Sequence, residues 1–303
     1  MSFFQAIIYG IVQGLTEFLP ISSSAHLRIV PAILGWDDPG AGFTAVIQLG
    51  TMAAVVLYFW KDLWRVTLAW CKDVPRAVRA TTHRGDASIP RAGDDARMGW
   101  YLIVATIPIA VFGLAFKDQI ETGARDLRII AFTMIVGGLV MLWADRTGKR
   151  TKTLEHIQTR DGVAVGLAQS LALVPGVSRS GSTISAGLFL GFDRESAARF
   201  SFLLSIPAVV LSGLFELKDV TGCAGIGVGP TVVATVVSFV VGYAAIWWLL
   251  SWLAGHSTLV FTVYRCIVGV LLVVLIAAGT VEASQPPTVC TPKDAPASSS
   301  TSP

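Results

Sequence analysis

Apolar residues run through this chain in long, nearly uninterrupted stretches, at about 41–60, 99–116, 128–144, 197–216, 230–253 and 260–281. Each is close to the roughly 20 residues a helix needs to cross the hydrocarbon core of a bilayer. Six transmembrane helices are therefore predicted. The run 99–116 holds Pro108 and Gly113, both of which packed membrane helices tolerate. Two other apolar stretches break. Residues 2–19 stop at Pro20 and three serines and resume over 26–35, and 162–174 stop at Pro175-Gly176 and resume over 182–191. The resumed pieces are too short to span, so each pair reads as a re-entrant helical hairpin whose polar tip lies inside the protein. One kinked spanning helix at each place is the alternative.

The two broken stretches resemble each other. At an offset of 156 residues Gly10 matches Gly166, Gln13 matches Gln169, Leu15 matches Leu171, Ser22 matches Ser178 and Ser24 matches Ser180. The likeness continues at an offset of 157, where Phe43 and Thr44 match Phe200 and Ser201. A duplicated polar cluster in apolar surroundings points to two related halves with a site where they meet. A hairpin followed by three crossings is an odd count, so the second half starts opposite the first. The fold class is therefore an all-α polytopic integral membrane protein, six transmembrane helices plus two re-entrant hairpins in an inverted-topology repeat. The first repeat covers 1–150 and the second 156–281. Residues 282–303, rich in Pro, Ser and Thr, are expected to be a disordered tail.

Composition agrees with a bilayer environment. Hydrophobic residues make up 53% and charged residues 14%, with mean hydropathy +0.65, well under the charge content of soluble domains. The net charge of +3 gives no reason to invoke nucleic acid. Its distribution is more informative. Residues 61–97 carry Lys61, Arg65, Lys72, Arg76, Arg79, Arg84, Arg91 and Arg97, and 145–161 carry Arg146, Lys149, Arg150, Lys152 and Arg160. Both segments should be cytoplasmic, which leaves both termini outside. The polar stretch 72–97 reads as a mobile cytoplasmic connection. No cleavable signal peptide is evident, and Cys71, Cys223, Cys266 and Cys290 show no paired spacing.

The polar tips carry the candidate chemistry. Gln13 and Glu17 are four apart and share one helix face directed at the first tip. Ser22, Ser23 or Ser24 can cap the next half-helix, and His26 lies three residues after Ser23. A hydroxyl beside an imidazole, with a carboxylate nearby, has the parts of an activated nucleophile. The second tip, Ser178-Arg179-Ser180-Gly181-Ser182-Thr183, places hydroxyls and a guanidinium at a helix start. Helix N-termini favour anions, and Arg offers a fork for two phosphate oxygens. A structural Glu17–Arg179 pair is the plainer reading, but it would not need the surrounding hydroxyls. One tip offers a nucleophile or base and the other an anion cradle, which suits hydrolysis of a phosphate ester or anhydride. Glu17 with Gln13 is also a thin oxygen site for a divalent cation.

At these residues the chain resembles a known family. QGLTEFLPISSSAH and PGVSRSGSTISAG are similar to the two signature segments of undecaprenyl-diphosphate phosphatases, the bacitracin-resistance (BacA/UppP) family, and the likeness covers about 1–280. The resemblance implies a multi-pass enzyme of the bacterial plasma (inner) membrane, a hydrolase acting on a phosphoric anhydride. It would convert undecaprenyl diphosphate to undecaprenyl phosphate and phosphate, recycling the carrier for peptidoglycan synthesis and conferring bacitracin resistance. It places the catalytic group on Glu17, Ser23, His26 and Arg179, with Ser22, Ser178, Arg179, Ser180 and Thr183 holding the diphosphate. On this reading Ser23 attacks phosphorus with His26 as base; direct attack by water is the rival. Glu17 and Gln13 would hold Mg2+ or Ca2+, though Gln13 stands where some members carry Glu. A homodimer is compatible with this reading.

The main competing function is a secondary transporter or flippase of a lipid-linked phosphate, because broken inverted repeats are frequent in that class. A type-2 phosphatidic-acid phosphatase fits poorly, for its Lys-Arg-Pro segment and later His-Asp partners are missing. An intramembrane serine protease lacks its Gly-Ser-Gly turn here.

Overall fold

The computed structural model describes residues 1–82, 92–116, 126–220 and 227–284. These form eleven α-helices: α1 Phe3–Phe18, α2 Ser23–Leu34, α3 Gly40–Tyr58, α4 Trp60–Thr82, α5 Asp94–Ala115, α6 Leu127–Thr147, α7 Thr159–Ser170, α8 Arg179–Phe189, α9 Arg194–Val220, α10 Val228–Leu253 and α11 Leu259–Ala277. All six long apolar runs are helical. Four helices (α5, α6, α10 and α11) are long and apolar enough to cross a membrane, and the pair α3–α4 makes a fifth such stretch bent by 76°. The molecule is a polytopic helical membrane protein.

Local chemistry sets the helix ends. Ser2 and Gln5 form a reciprocal capping box that starts α1. Leu19 then turns to extended backbone, and α2 begins four residues later. In the second half α7 ends in a 3-10 turn, Leu171–Leu173, before α8. With 12 and 11 residues, α2 and α8 reach under about 20 Å at the helical rise, short of a ~30 Å core.

The halves exchange partners. Helix α1 packs along α10, and α7 packs along α5. Both crossings use the same glycine of the repeat. A Cβ on Gly10 would lie 2.6 Å from the Ala234 carbonyl oxygen, and one on Gly166 would lie 2.5 Å from that of Ala105. Small residues at such crossings let membrane helices approach closely, where dispersion replaces the missing hydrophobic drive. The largest core cluster, around Phe18, Phe59, Phe202 and Leu249, joins α1, α3, α9 and α10.

Two expectations about connections change. The stretch 72–97 is not all loop: α4 continues to Thr82 and α5 starts at Asp94, because Pro75 and the charged residues still follow a helical period. Residues 83–91 lie outside the described residues. At the other end, Val281 and Ala283 are buried, and the Ala283 carbonyl accepts the Leu127 N–H at 2.9 Å. Residues 282–284 thus dock on the start of α6, and the rest of the proposed tail is outside the described residues.

Candidate active site

Each hairpin tip is built on a serine in the left-handed region. Ser22 has φ 77°, ψ 102° and Ser178 has φ 73°, ψ 116°, a conformation that costs a non-glycine residue on the order of 1–3 kcal/mol. The capping bonds offset part of that cost. The Ser22 Oγ accepts the Ala25 N–H at 3.4 Å, and the Ser178 Oγ accepts the Gly181 N–H at 3.1 Å. A second hydroxyl meets each cap, Ser24 at 3.1 Å and Ser180 at 3.2 Å. The sequence repeat is thus a repeat of backbone geometry at the tips.

The tips touch. Ser180 Oγ donates to the Leu19 carbonyl at 3.1 Å, and the Gly176 N–H donates to Ser24 Oγ at 3.3 Å. At the centre lies Glu17. Its Oε1 accepts from Arg179 Nη2 at 2.5 Å, and its Oε2 accepts from Ser23 Oγ at 2.7 Å and from Gln13 Nε2 at 3.2 Å. Arg179 Nη1 reaches the Ser205 carbonyl at 3.2 Å. Ser23 and Arg179 occupy matching positions of the two similar segments, 156 residues apart, and both meet one carboxylate. The position matching Glu17 is Leu173, and the second tip carries no acid of its own.

The expected Ser23–His26 hydrogen bond is absent. His26 Nδ1 lies 2.7 Å from the Ser22 carbonyl and Nε2 lies 2.7 Å from the Tyr264 hydroxyl. A carbonyl only accepts, so Nδ1 carries the proton and Nε2 accepts from Tyr264. The two rings stack at 13°, with centroids 5.6 Å apart. Three-residue spacing puts His26 on the same side as Ser23, but the imidazole turns back to its own N-cap and to α11. The base next to the Ser23 hydroxyl is Glu17.

The remaining predicted residues divide by what their hydroxyls already hold. Ser22, Ser178, Ser180 and Thr183 are buried. Thr183 Oγ1 donates to the Arg179 carbonyl at 2.8 Å and pairs with Ser201 Oγ at 2.6 Å. These groups brace the tip. The N–H groups of Arg179 and Ser180 bond to no acceptor among the described residues, so the opening turn of α8 presents free donors beside the Arg179 fork. Free N–H donors beside a guanidinium have the geometry and charge that suit an anion.

A divalent cation would find oxygen donors on Glu17 and on Gln13, whose Oε1 is buried without a hydrogen-bond partner. Hard cations take such ligands. Among the described residues no group of three or more His, Cys, Asp or Glu is gathered, so the donor set is one carboxylate and one amide.

One residue with a central position was passed over in the sequence. Arg265, on α11, is fully buried. Its guanidinium donates to Pro20 O at 3.2 Å, Val177 O at 3.0 Å, Gly176 O at 3.0 Å and Thr133 O at 3.1 Å, and its Nε to Met134 O at 3.0 Å. It therefore ties the breaks of both hairpins to α6. The signal was available: a lone charge inside the apolar run 260–281 is costly unless satisfied.

Comparison with known proteins places the chain. Residues 6–271 match the family model described as bacitracin resistance protein BacA. A Nocardioides sp. protein named undecaprenyl-diphosphatase is 52% identical, covering 93% of this chain and all of the relative. Proteins of the same name from Nocardia farcinica (50% identical, 94% of this chain and 99% of the relative) and Chloroherpeton thalassium (49%, 93% and 100%) are also similar. The chain belongs to the BacA family of membrane proteins.

Proposed function

We propose that the protein is a membrane phosphatase that hydrolyses undecaprenyl diphosphate to undecaprenyl phosphate and inorganic phosphate. The observation that carries this reading is the Glu17 carboxylate, which holds the Ser23 hydroxyl from one tip and the Arg179 guanidinium from the other. The names of its relatives, at about half identity over nearly the full chain, support the same substrate.

The terminal phosphate enters at the opening turn of α8 and draws Arg179 from Glu17 to its own oxygens. Glu17, released from Arg179, keeps the hydrogen bond that the Ser23 hydroxyl donates to it. Ser23 Oγ then attacks the terminal phosphorus, its proton passes to Glu17, and the bond from that phosphorus to the bridging oxygen breaks. Glu17 returns that proton to the departing oxygen as undecaprenyl phosphate leaves; again a carboxylate, it takes a proton from the water that attacks the phosphoserine and gives it to the Ser23 oxygen as phosphate is released. His26 acts from the side as a neutral imidazole fixed by Ser22 and Tyr264, setting the start of α2. Glu17 and Gln13 would hold Mg2+ or Ca2+, which supplies charge neutralisation at the phosphate oxygens. Phosphate release by purified protein in detergent, with a long prenyl diphosphate, tests this reading. A transporter releases none, and loss of activity in chelator supports the cation.

We further infer an inverted repeat of 1–150 and 156–281 with both termini outside a bacterial plasma membrane. The basic stretches of α4 and 145–161 lie at one end of the molecule, where Asp62 pairs with Arg199 at 2.9 Å and one cavity is lined by Arg65, Asp95, Leu154 and Glu155. That common end supports a single cytoplasmic face.

A further inference from the structure

We propose that α4 is an interfacial helix that lies along the bilayer surface and binds anionic lipid headgroups through Lys61, Lys72 and Arg79. Three observations converge. First, α4 leaves the apolar helix α3 at 76°. If α3 runs along the membrane normal, α4 runs nearly parallel to the surface. Second, its exposed residues sort into two stripes of helical period. Trp60, Trp64, Leu68, Cys71 and Val78 are exposed along one face. Lys61, Arg65, Lys72 and Arg79 run alongside, each one step further on than Trp60, Trp64, Cys71 and Val78, which is about 100° round the helix. Third, the opposite face is taken. Val66 and Asp73 are buried, Trp70 stacks edge-on to Trp100 at 5.6 Å, and Asp73 accepts from the Trp100 indole at 3.0 Å.

The charges identify the partner. Arg65 pairs with Asp62 at 3.3 Å and with Asp95 at 3.1 Å, and Arg76 bonds Asp73 at 2.8 Å. Lys61, Lys72 and Arg79 are exposed and meet no carboxylate among the described residues. Three unpaired cations beside a stripe of Trp and Leu match the chemistry of a headgroup layer: apolar side chains enter the acyl boundary and cations face lipid phosphates. A protein partner would need a stretch alternating acid and apolar groups at the same offset. A bilayer containing anionic lipid presents that pattern everywhere.

The test uses the full chain with Cys71 as the sole cysteine (Cys223→Ser, Cys266→Ser, Cys290→Ser), carrying an environment-sensitive fluorophore on the apolar stripe. It is reconstituted in phosphatidylcholine vesicles, and in phosphatidylcholine vesicles containing phosphatidylglycerol, with brominated acyl chains in each. The label should emit as in an apolar medium in both. Quenching should rise at least about two-fold with phosphatidylglycerol, and the rise should vanish in about 1 M salt and in Lys61→Gln/Lys72→Gln/Arg79→Gln. Water-like emission overturns the interfacial placement, and equal quenching in both lipids overturns the anionic preference. Energy transfer between labels on separate molecules assigns the stripe to a second copy and also overturns it. Should the cysteine changes prevent folding, the native-cysteine protein in micelles serves: phosphatidylglycerol should raise its unfolding midpoint more than phosphatidylcholine does. An equal shift, or an unequal one kept in the triple variant, contradicts the proposal.

Discussion

Ser23 and Arg179 stand at the same position of two related tips, and both reach the two oxygens of Glu17, at 2.7 Å and 2.5 Å. The two tips share one backbone shape, and the matching position carries a hydroxyl on one and a guanidinium on the other. A reaction that needs a nucleophile facing a cation gains both from that symmetry. It needs only one acid, which the first tip supplies.

Replacing Glu17 by Gln keeps shape and one acceptor but removes the charge that orients Arg179 and takes the Ser23 proton. A drop in kcat of about 10³-fold or more is expected, with KM changed less, because general-base and charge terms of this kind act in the transition state. Phosphate release measured across substrate concentrations checks the split. Glu17→Asp should fall between the two, since the shorter arm cannot hold Ser23 and Arg179 together.

The covalent route predicts a labelled serine. Acid quenching during turnover of a terminally labelled prenyl diphosphate should leave label on the peptide containing Ser23. Absence of label, with Ser23→Ala within about ten-fold of the parent, would assign the step to water.

The tip serines carry opposing effects of conformation and capping. Ser22→Ala or Ser178→Ala keeps the positive φ and loses the cap, so each should destabilise by roughly 1–2 kcal/mol. The Gly variants lose the cap but relieve the backbone, and should come within about 1 kcal/mol of the parent. Thermal unfolding in detergent distinguishes the pairs, and Ala variants as stable as Gly variants would contradict the assigned geometry.

Arg265→Met leaves the carbonyls of Pro20, Gly176 and Val177, at the breaks of the two hairpins, without their donor inside the protein. A cost of roughly 3 kcal/mol or more is expected, and with it a low yield of folded protein. Arg265→Lys retains the charge but reaches fewer carbonyls, so it should fold with reduced kcat and little change in KM. A Met variant with parental stability would show that the clamp is dispensable.

Much of this was legible in the sequence, for identifiable reasons. Six apolar runs became six helices because length and hydropathy suffice in a medium that forbids exposed backbone. The two tips were visible because serines and an arginine are conspicuous inside apolar surroundings, and Ser22 and Ser178 marked the shared turn. The orientation of His26 was not legible. Spacing places a residue on a helix face, but the ring direction is decided by Tyr264, far away in sequence. Arg265 is conspicuous as a lone charge in its apolar run, but its partners are not legible: they are backbone carbonyls of both hairpin breaks and of α6, which no side-chain motif encodes. The C-terminal part of helix α4 is hard to read from the sequence because its charges interrupt hydropathy while keeping the helical period.

The central claim, that one site is assembled from both tips, is tested most directly by phosphate release from purified Ser23→Ala and Arg179→Ala beside the parent protein. Each should lose at least about 10²-fold in kcat/KM while remaining folded, as expected for groups acting together on one phosphate. Retention of activity within about three-fold of the parent in either variant would detach that tip from the chemistry and contradict the account.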